Sequence, residues 1–233
     1  MYNTAKEYVD DINVVVRADT DEELEVKIAT EFNTLQTYLE NHHMKINASK
    51  TQIMVLNSDT VEPIPLGKVL ITPQKNIKIL GLNIANDLTQ NFQIWEGPKS
   101  IIRTLNSKTH MIRGLRHLLP QKDLAQVAGS LINSTLLYGA PVWGATTEAN
   151  LDRLQKAQTN AARAASTTST KKGIKMHRQD LLDSLNWPNV RQIVMTSTMN
   201  LLKSISKNES SHGLTSSFKI SDPKTLEKQQ DRE

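Results

Sequence analysis

Tyr8, Val9, Asp10 and Asp11 place two adjacent carboxylates after an aromatic and a β-branched residue, and Ile12, Val14, Val15 and Val16 follow at once. β-branched runs favour strands and aspartate favours turns. Residues 4–17 are therefore expected to form a hairpin with the acid pair at its tip. Such a tip suits Mg²⁺, a hard cation that takes carboxylate oxygens. Two-metal phosphoryl-transfer sites use ligands of this kind to clamp the attacking and leaving oxygens. The plain alternative is a solvated acidic turn. Other chemistries find less support. There is no Gly-rich phosphate loop, and Ser, His and Asp occur without the strand–turn context of an exposed nucleophile. His42 and His43 are adjacent, so their side chains diverge on a helix; His110 and His117 could share a face. Neither pair has the third converging donor that zinc needs.

Two later segments extend the pattern. Lys45-Ile46-Asn47-Ala48-Ser49-Lys50-Thr51 precedes the apolar run Ile53–Leu56, and Ile77-Lys78-Ile79-Leu80-Gly81-Leu82-Asn83-Ile84 comes next. In this order and spacing the three segments resemble the later palm motifs of reverse transcriptases of non-LTR (LINE-like) retrotransposons. Leu136–Gly144, Leu154–Gln158 and Leu185–Pro188 resemble segments that follow the palm in the same proteins, so the likeness spans roughly residues 2 to 218. The resemblance implies RNA-directed DNA synthesis, in which a primer 3′-hydroxyl attacks the α-phosphate of a deoxynucleotide with Mg²⁺ on the aspartates. It implies that Asp10 and Asp11 are catalytic metal ligands and that Lys50 sits near the incoming nucleotide and its leaving pyrophosphate. It further implies that Tyr8 helps place the hairpin and that Leu80-Gly81 grips the primer. The family also uses an aspartate on an earlier palm strand and a fingers subdomain, and only seven residues precede Tyr8 here. The expectation is a palm and thumb fragment that does not polymerise alone. The alternatives are a non-catalytic nucleic-acid-binding remnant, or a helical interaction module whose acidic N-terminal half recruits a protein.

Composition bounds these readings. The chain has 233 residues, 38% of them hydrophobic and only 4% aromatic, so its core should rest on Leu, Ile, Val and Ala. It has no cysteine, which removes disulfides and thiolate metal sites and fits an intracellular protein of nucleus or cytoplasm. No stretch reaches the roughly 18 apolar residues of a membrane span, and the N-terminus lacks the apolar core of a secretion signal. The net charge of +4 conceals a division. Residues 1–90 hold 8 Lys/Arg against 13 Asp/Glu, a net of −5; residues 91–233 hold 20 against 11, a net of +9. Between Glu96 and Asp123 lie Lys99, Arg103, Lys108, Arg113, Arg116 and Lys122, with no acid. Between Asp152 and Asp180 lie Arg153, Lys156, Arg163, Lys171, Lys172, Lys175 and Arg178, again with none. Basic blocks of this kind attract phosphate backbones through counterion release, and solvated helix faces are the plain alternative. Lys99, Arg103, Lys108, Arg113 and Arg116 are the expected contacts to an RNA template, DNA primer or RNA–DNA hybrid.

The elements that would hold these residues give an α+β reading: a small antiparallel palm remnant over 1–88, then a helical thumb-like region over 89–166. C-terminal helices are expected over 167–220 and a disordered, charged tail over 221–233. Asp19 or Thr20 should cap a helix, with Thr20-x-x-Glu23 as a capping box. Leu24, Ile28, Phe32, Leu35 and Leu39 on one face should pack it against the sheet. Residues 51–57, 68–72 and 76–84 read as strands, with Gly81 permitting close backbone approach. Helices are expected over 99–119 and 121–138, with Gly139 as the residue after the second, then from Thr146 or Thr147, and over 177–186 and 189–207. In the 121–138 helix, Leu124, Val127, Ala128, Leu131 and Ile132 should face inward. Trp95, Trp143 and Trp187 near helix ends are expected to anchor the core.

Overall fold

A computed structural model of the chain describes residues 4–8, 11–47, 49–56, 62–67, 69–166 and 176–207. The molecule is mixed α+β and divides into two units, Met1–Thr89 and Gln90–Glu233. The expected linker over 167–173 and the tail from 221 lie outside the described residues.

In the first unit, strands β1 (Thr4–Tyr8) and β2 (Asp11–Val15) pair antiparallel, with Tyr8 opposite Asp11 and Ala5 opposite Val14. Helix α1 (Asp21–Asn41) starts at Thr20, whose Oγ1 accepts from Glu23 N–H at 3.2 Å. The box closes one residue early: Glu23 Oε2 accepts from Asp19 N–H at 2.9 Å. Lys27 pairs with Glu23 at 2.6 Å and also donates to Arg17 O at 2.9 Å, locking the first two turns to the incoming chain. Of the expected apolar face only Leu39 is fully buried; Leu24, Ile28, Phe32 and Leu35 are half-buried. The helix makes its main sheet contact with β3 (Ile64–Leu66), not with the opening hairpin.

Three strand expectations in this unit require correction. Residues 51–56 form no strand. Their backbone tie to another segment is Gln74 N–H to Ile53 O at 2.8 Å, and an alternating pattern without a partner edge makes no ladder. The expected strand at 68–72 shortens to β4 (Val69–Ile71), which pairs with β3 in a hairpin that takes Pro65 into an edge strand. Residues 76–84 are not one strand: β5 (Asn76–Ile79) and β6 (Leu82–Ala85) pair antiparallel around Leu80-Gly81. Gly81 therefore serves the turn and not a close strand approach. The described strands make three separate two-stranded sheets.

The second unit opens on a π-helical turn, Phe92–Glu96, closed by Gly97 N–H to Phe92 O at 2.9 Å. Helices α2 (Ile101–Leu115), α3 (Gln121–Leu137), α4 (Ala140–Trp143) and α5 (Glu148–Ala165) follow, then α6 (Arg178–Ser184) and α7 (Val190–Ser206). Ile101, Leu105 and Ile112 of α2, Leu124, Ala128, Ile132 and Leu136 of α3 and the Ala-rich face of α5 build one core with Leu181, Leu182, Val190 and Ile193. The segments on either side of the expected boundary at 166/167 thus share that core. Val127, expected inside, is exposed, and Leu131 is half-buried. No helix among the described residues is long and apolar enough to cross a membrane.

Candidate nucleic-acid interface

Asp11 begins β2 with its side chain exposed. Asp10, the other member of the acid pair, lies outside the described residues, as does the side chain of Tyr8. The Lys50 segment is a turn organised by Asn47. Asn47 Oδ1 accepts from Ser49 N–H at 3.1 Å and Ser49 Oγ at 2.7 Å. Asn47 O accepts from the N–H groups of Lys50 and Thr51 and from Thr51 Oγ1, each at 3.0 Å. An asparagine that bonds the backbone two residues on is a turn nucleus. It frees the Lys50 side chain, which is exposed. Leu80 and Gly81 form a hairpin tip with φ of +46° and +85°. Positive φ at both central residues is the two-residue turn whose twist matches paired strands. Leucine is a poor residue for that position, because left-handed backbone crowds its Cβ. Leu80 is nonetheless held there, 44% exposed.

Among the described residues no three His, Cys, Asp or Glu side chains converge as metal ligation requires. The described donor set for Mg²⁺ is the single carboxylate of Asp11. One or two oxygens from one tip do not fit a two-metal clamp, which draws ligands from more than one side. No catalytic step is assigned through a metal here.

In the second unit the five expected basic contacts separate into two kinds. Lys99, Arg103 and Arg113 are exposed on α2 and its lead-in. Lys108 and Arg116 instead hold helices together. Lys108 Nζ donates to Leu131 O at 3.1 Å and to Thr135 Oγ1 at 2.6 Å, tying α2 to α3. Arg116 Nη2 donates to Ser166 O at 2.9 Å and Gln121 Nε2 to Ala165 O at 2.7 Å. These bonds satisfy carbonyls at the end of α5, where a cation also suits the helix dipole. Of the second basic block, Lys171, Lys172 and Lys175 lie outside the described residues, and Arg153 and Lys156 are exposed on α5.

Sequence reasoning missed two features. Arg191 of α7 pairs with Glu148 and, at 3.3 Å, with Asp152. The hydrogen bond to Glu148, then that to Asp152, raises the guanidinium pKa above its ordinary value. Both acids of α5 are thereby engaged by one cation of another helix. The second feature is Trp95. It does not anchor the core but is 37% exposed, with the Arg153 guanidinium 4.7 Å from its ring centroid. In this π turn Ile94 is fully buried and Trp95 faces out.

The distal motif segments meet in the core. Gly139 turns the chain at φ +63° between α3 and α4. Trp143 is fully buried and donates from Nε1 to Tyr138 O at 3.0 Å. A Cβ at Gly144 would lie 2.5 Å from both Ala140 O and Val194 Cγ1, so α7 packs there only against glycine. Gln155 Oε1 accepts from Val190 N–H at 2.9 Å, Gln155 Nε2 donates to Gln158 Oε1 at 2.9 Å, and Gln158 Nε2 donates to Pro188 O at 2.8 Å. Both amides are buried. They bind the Leu154–Gln158 segment to the Trp187-Pro188 turn, whose indole lies against Gly129. The spacing and the small or amide residues of these segments have a packing reason independent of any ligand.

Comparison with protein-family models, with curated proteins and with solved structures yields no match to this chain.

Proposed function

We propose that this chain is the palm-end and thumb portion of a non-LTR-type reverse transcriptase, acting here as a nucleic-acid-holding module and not as a complete polymerase. The observation that carries the reading is local. Three motifs stand in the family's order: Asp11 at the turn end of a hairpin, an exposed lysine on an Asn47-built turn, and Leu80-Gly81 at a strained tip. Strained backbone on a solvent-facing tip is a common mark of a contact site. The exposed cations of α2 and α5 support the same reading: α2 carries no acid, and the acids of α5, Glu148 and Asp152, are engaged by Arg191. RNA–DNA hybrid is the ligand, with Lys99, Arg103 and Arg113 on its phosphates. Asp11 and Lys50 would face the nucleotide end in an intact enzyme of this type.

The test is retention of a labelled RNA–DNA hybrid by the full chain across a salt series. Log affinity should fall linearly with log salt, by about 0.7–0.9 per phosphate neutralised, while primer extension with Mg²⁺ and deoxynucleotides gives no product. Salt-independent or absent retention overturns the binding reading, and template-dependent extension overturns its non-catalytic part. A second reading, a helical protein-interaction module, has one observation in its favour: Met195, Met199 and Leu202 expose an apolar stripe at helical spacing on α7. A hybrid that fails to bind would move the weight there.

A further inference from the structure

Helices α2 and α5 lie side by side and run parallel. At their N-terminal ends Asn150 Nδ2 donates to Asn91 Oδ1 at 2.8 Å and Arg153 covers Trp95. At their C-terminal ends Arg116 donates to Ser166 O. On α2 the exposed positions 103, 106, 110 and 113 recur at steps of three and four, which is one helical stripe, with Lys99 exposed in the lead-in and His117 in the turn after it. It carries Arg103 and Arg113, with Asn106 and His110 between them. On α5 the exposed or half-exposed Arg153, Lys156, Asn160 and Arg163 make a second stripe of the same spacing. In each helix two arginines stand ten residues apart, about 15 Å at 1.5 Å per residue. The acids nearest the α5 stripe, Glu148 and Asp152, are turned to Arg191 on the α7 side. Glu96, exposed beside Trp95, is the acid at the N-terminal end.

A basic track that ends on an exposed aromatic differs from a surface built only for duplex phosphates. A duplex hides its base faces in the stack and offers a charged track its backbone; a single strand offers backbone and free base faces together. Resting on the nucleic-acid reading above, we propose that the α2/α5 face binds single-stranded nucleic acid, with one base stacked on Trp95 and the backbone following the two basic stripes. The Arg153 guanidinium already lies on that ring, as a cation does on an indole face. A stacked base takes the other face of the indole or displaces Arg153 from this one, and the guanidinium then meets the phosphate. Both RNA and DNA single strands share the chemistry.

The experiment titrates the full chain with short oligouridylate, oligothymidylate and a blunt duplex while following intrinsic fluorescence and affinity over a salt series. Trp143 and Trp187 are buried, so a change in emission reports Trp95. The expected result is quenching by both single strands and none by the duplex, whose bases stay in the stack. Trp95→Ala should weaken single-strand binding about tenfold, abolish the quenching and leave duplex affinity within about twofold. Lys156→Glu, on exposed α5 surface, should weaken every ligand and lower the salt slope by about one contact. Uridylate bound and thymidylate not, or the reverse, with quenching intact assigns the strand to one sugar and keeps the proposal. Equal affinity for strand and duplex with no quenching overturns the platform while leaving the basic reading of the unit standing. Failure to bind any of the three overturns both.

Discussion

The two units put their chemistry on opposite kinds of support. The N-terminal unit carries the acid, the turn lysine and the Leu80-Gly81 tip on short hairpins and a turn. Its described buried apolar side chains are Leu39, Ile64, Leu66 and Ala85. The C-terminal unit carries its cations on long helices around a continuous core with Trp143, Leu154 and Leu182 fully buried. Isolated two-stranded hairpins are marginal in water, whereas helices gain most of their stability by burying an amphipathic face. The difference teaches that motif geometry can be fixed by a few local bonds, as at Asn47, where almost no core stands beneath it. A charged face spanning two helices needs the core.

The sharpest break of that comparison is a core deletion. Trp143→Ala removes a fully buried indole and its bond to Tyr138 O, and should cost about 3–5 kcal/mol in urea unfolding of the C-terminal unit. The same truncation of Leu39 should cost less, because its neighbours on α1 are half-exposed and can relax. Equal losses would mean that the two units are supported alike. Next in size is Gln155→Ala. It leaves Val190 N–H buried without its acceptor, a loss of about 1–3 kcal/mol, and should loosen the 187–190 turn in hydrogen exchange. Unchanged protection of Val190 would show that water replaces the amide.

Leu80→Asn sharpens the comparison from the other side. Asparagine accepts left-handed backbone that leucine resists, so the variant should gain up to about 1 kcal/mol while weakening hybrid binding through loss of an exposed apolar contact. A gain in stability with binding unaltered would remove Leu80 from the interface. The smallest effect concerns acid. Glu23's carboxyl is held below the usual glutamate range, chiefly by Asp19 N–H and then by Lys27. A depressed carboxylate contributes stability that is present above its unfolded value, near 4.3, and lost as pH falls through the lower folded value. Acidification below about pH 4 should therefore fray the first turn of α1. Amide shifts of residues 19–24 that stay constant through that range would show that the cap does not depend on the charge.

Legibility followed the range of the interactions. The Thr20 start of α1, the helices over 121–137 and 190–206 and the Gly139 turn were readable, because caps, 3.6-residue periods and glycine turns act within a few residues. The helix expected over 99–119 stops at Leu115, four residues short of Leu119. The 51–57 strand failed because a strand is defined by its partner, and none pairs with it in the described residues. The tip at Leu80 stayed hidden because leucine is not a residue that propensity places at positive φ. Gln158 falls on the stripe of Leu151, Leu154, Ala161 and Ala165, but nothing local shows what the buried amides of Gln155 and Gln158 bond to. Their acceptors and donors lie 30 or more residues away at Pro188 and Val190, beyond the reach of any periodicity. In the acid pair, Asp11 is placed at the start of β2 and Asp10 lies outside the described residues.

The central claim is that this chain holds nucleic acid through its hairpin tip and its basic helices. Ultraviolet cross-linking of the full chain to an RNA–DNA hybrid, with the modified peptides mapped by mass spectrometry, tests it most directly. The account predicts adducts on the peptides carrying Leu80-Gly81 and Arg103–Arg113, lost at high salt. Adducts confined to other surfaces, or none at low salt, would contradict it.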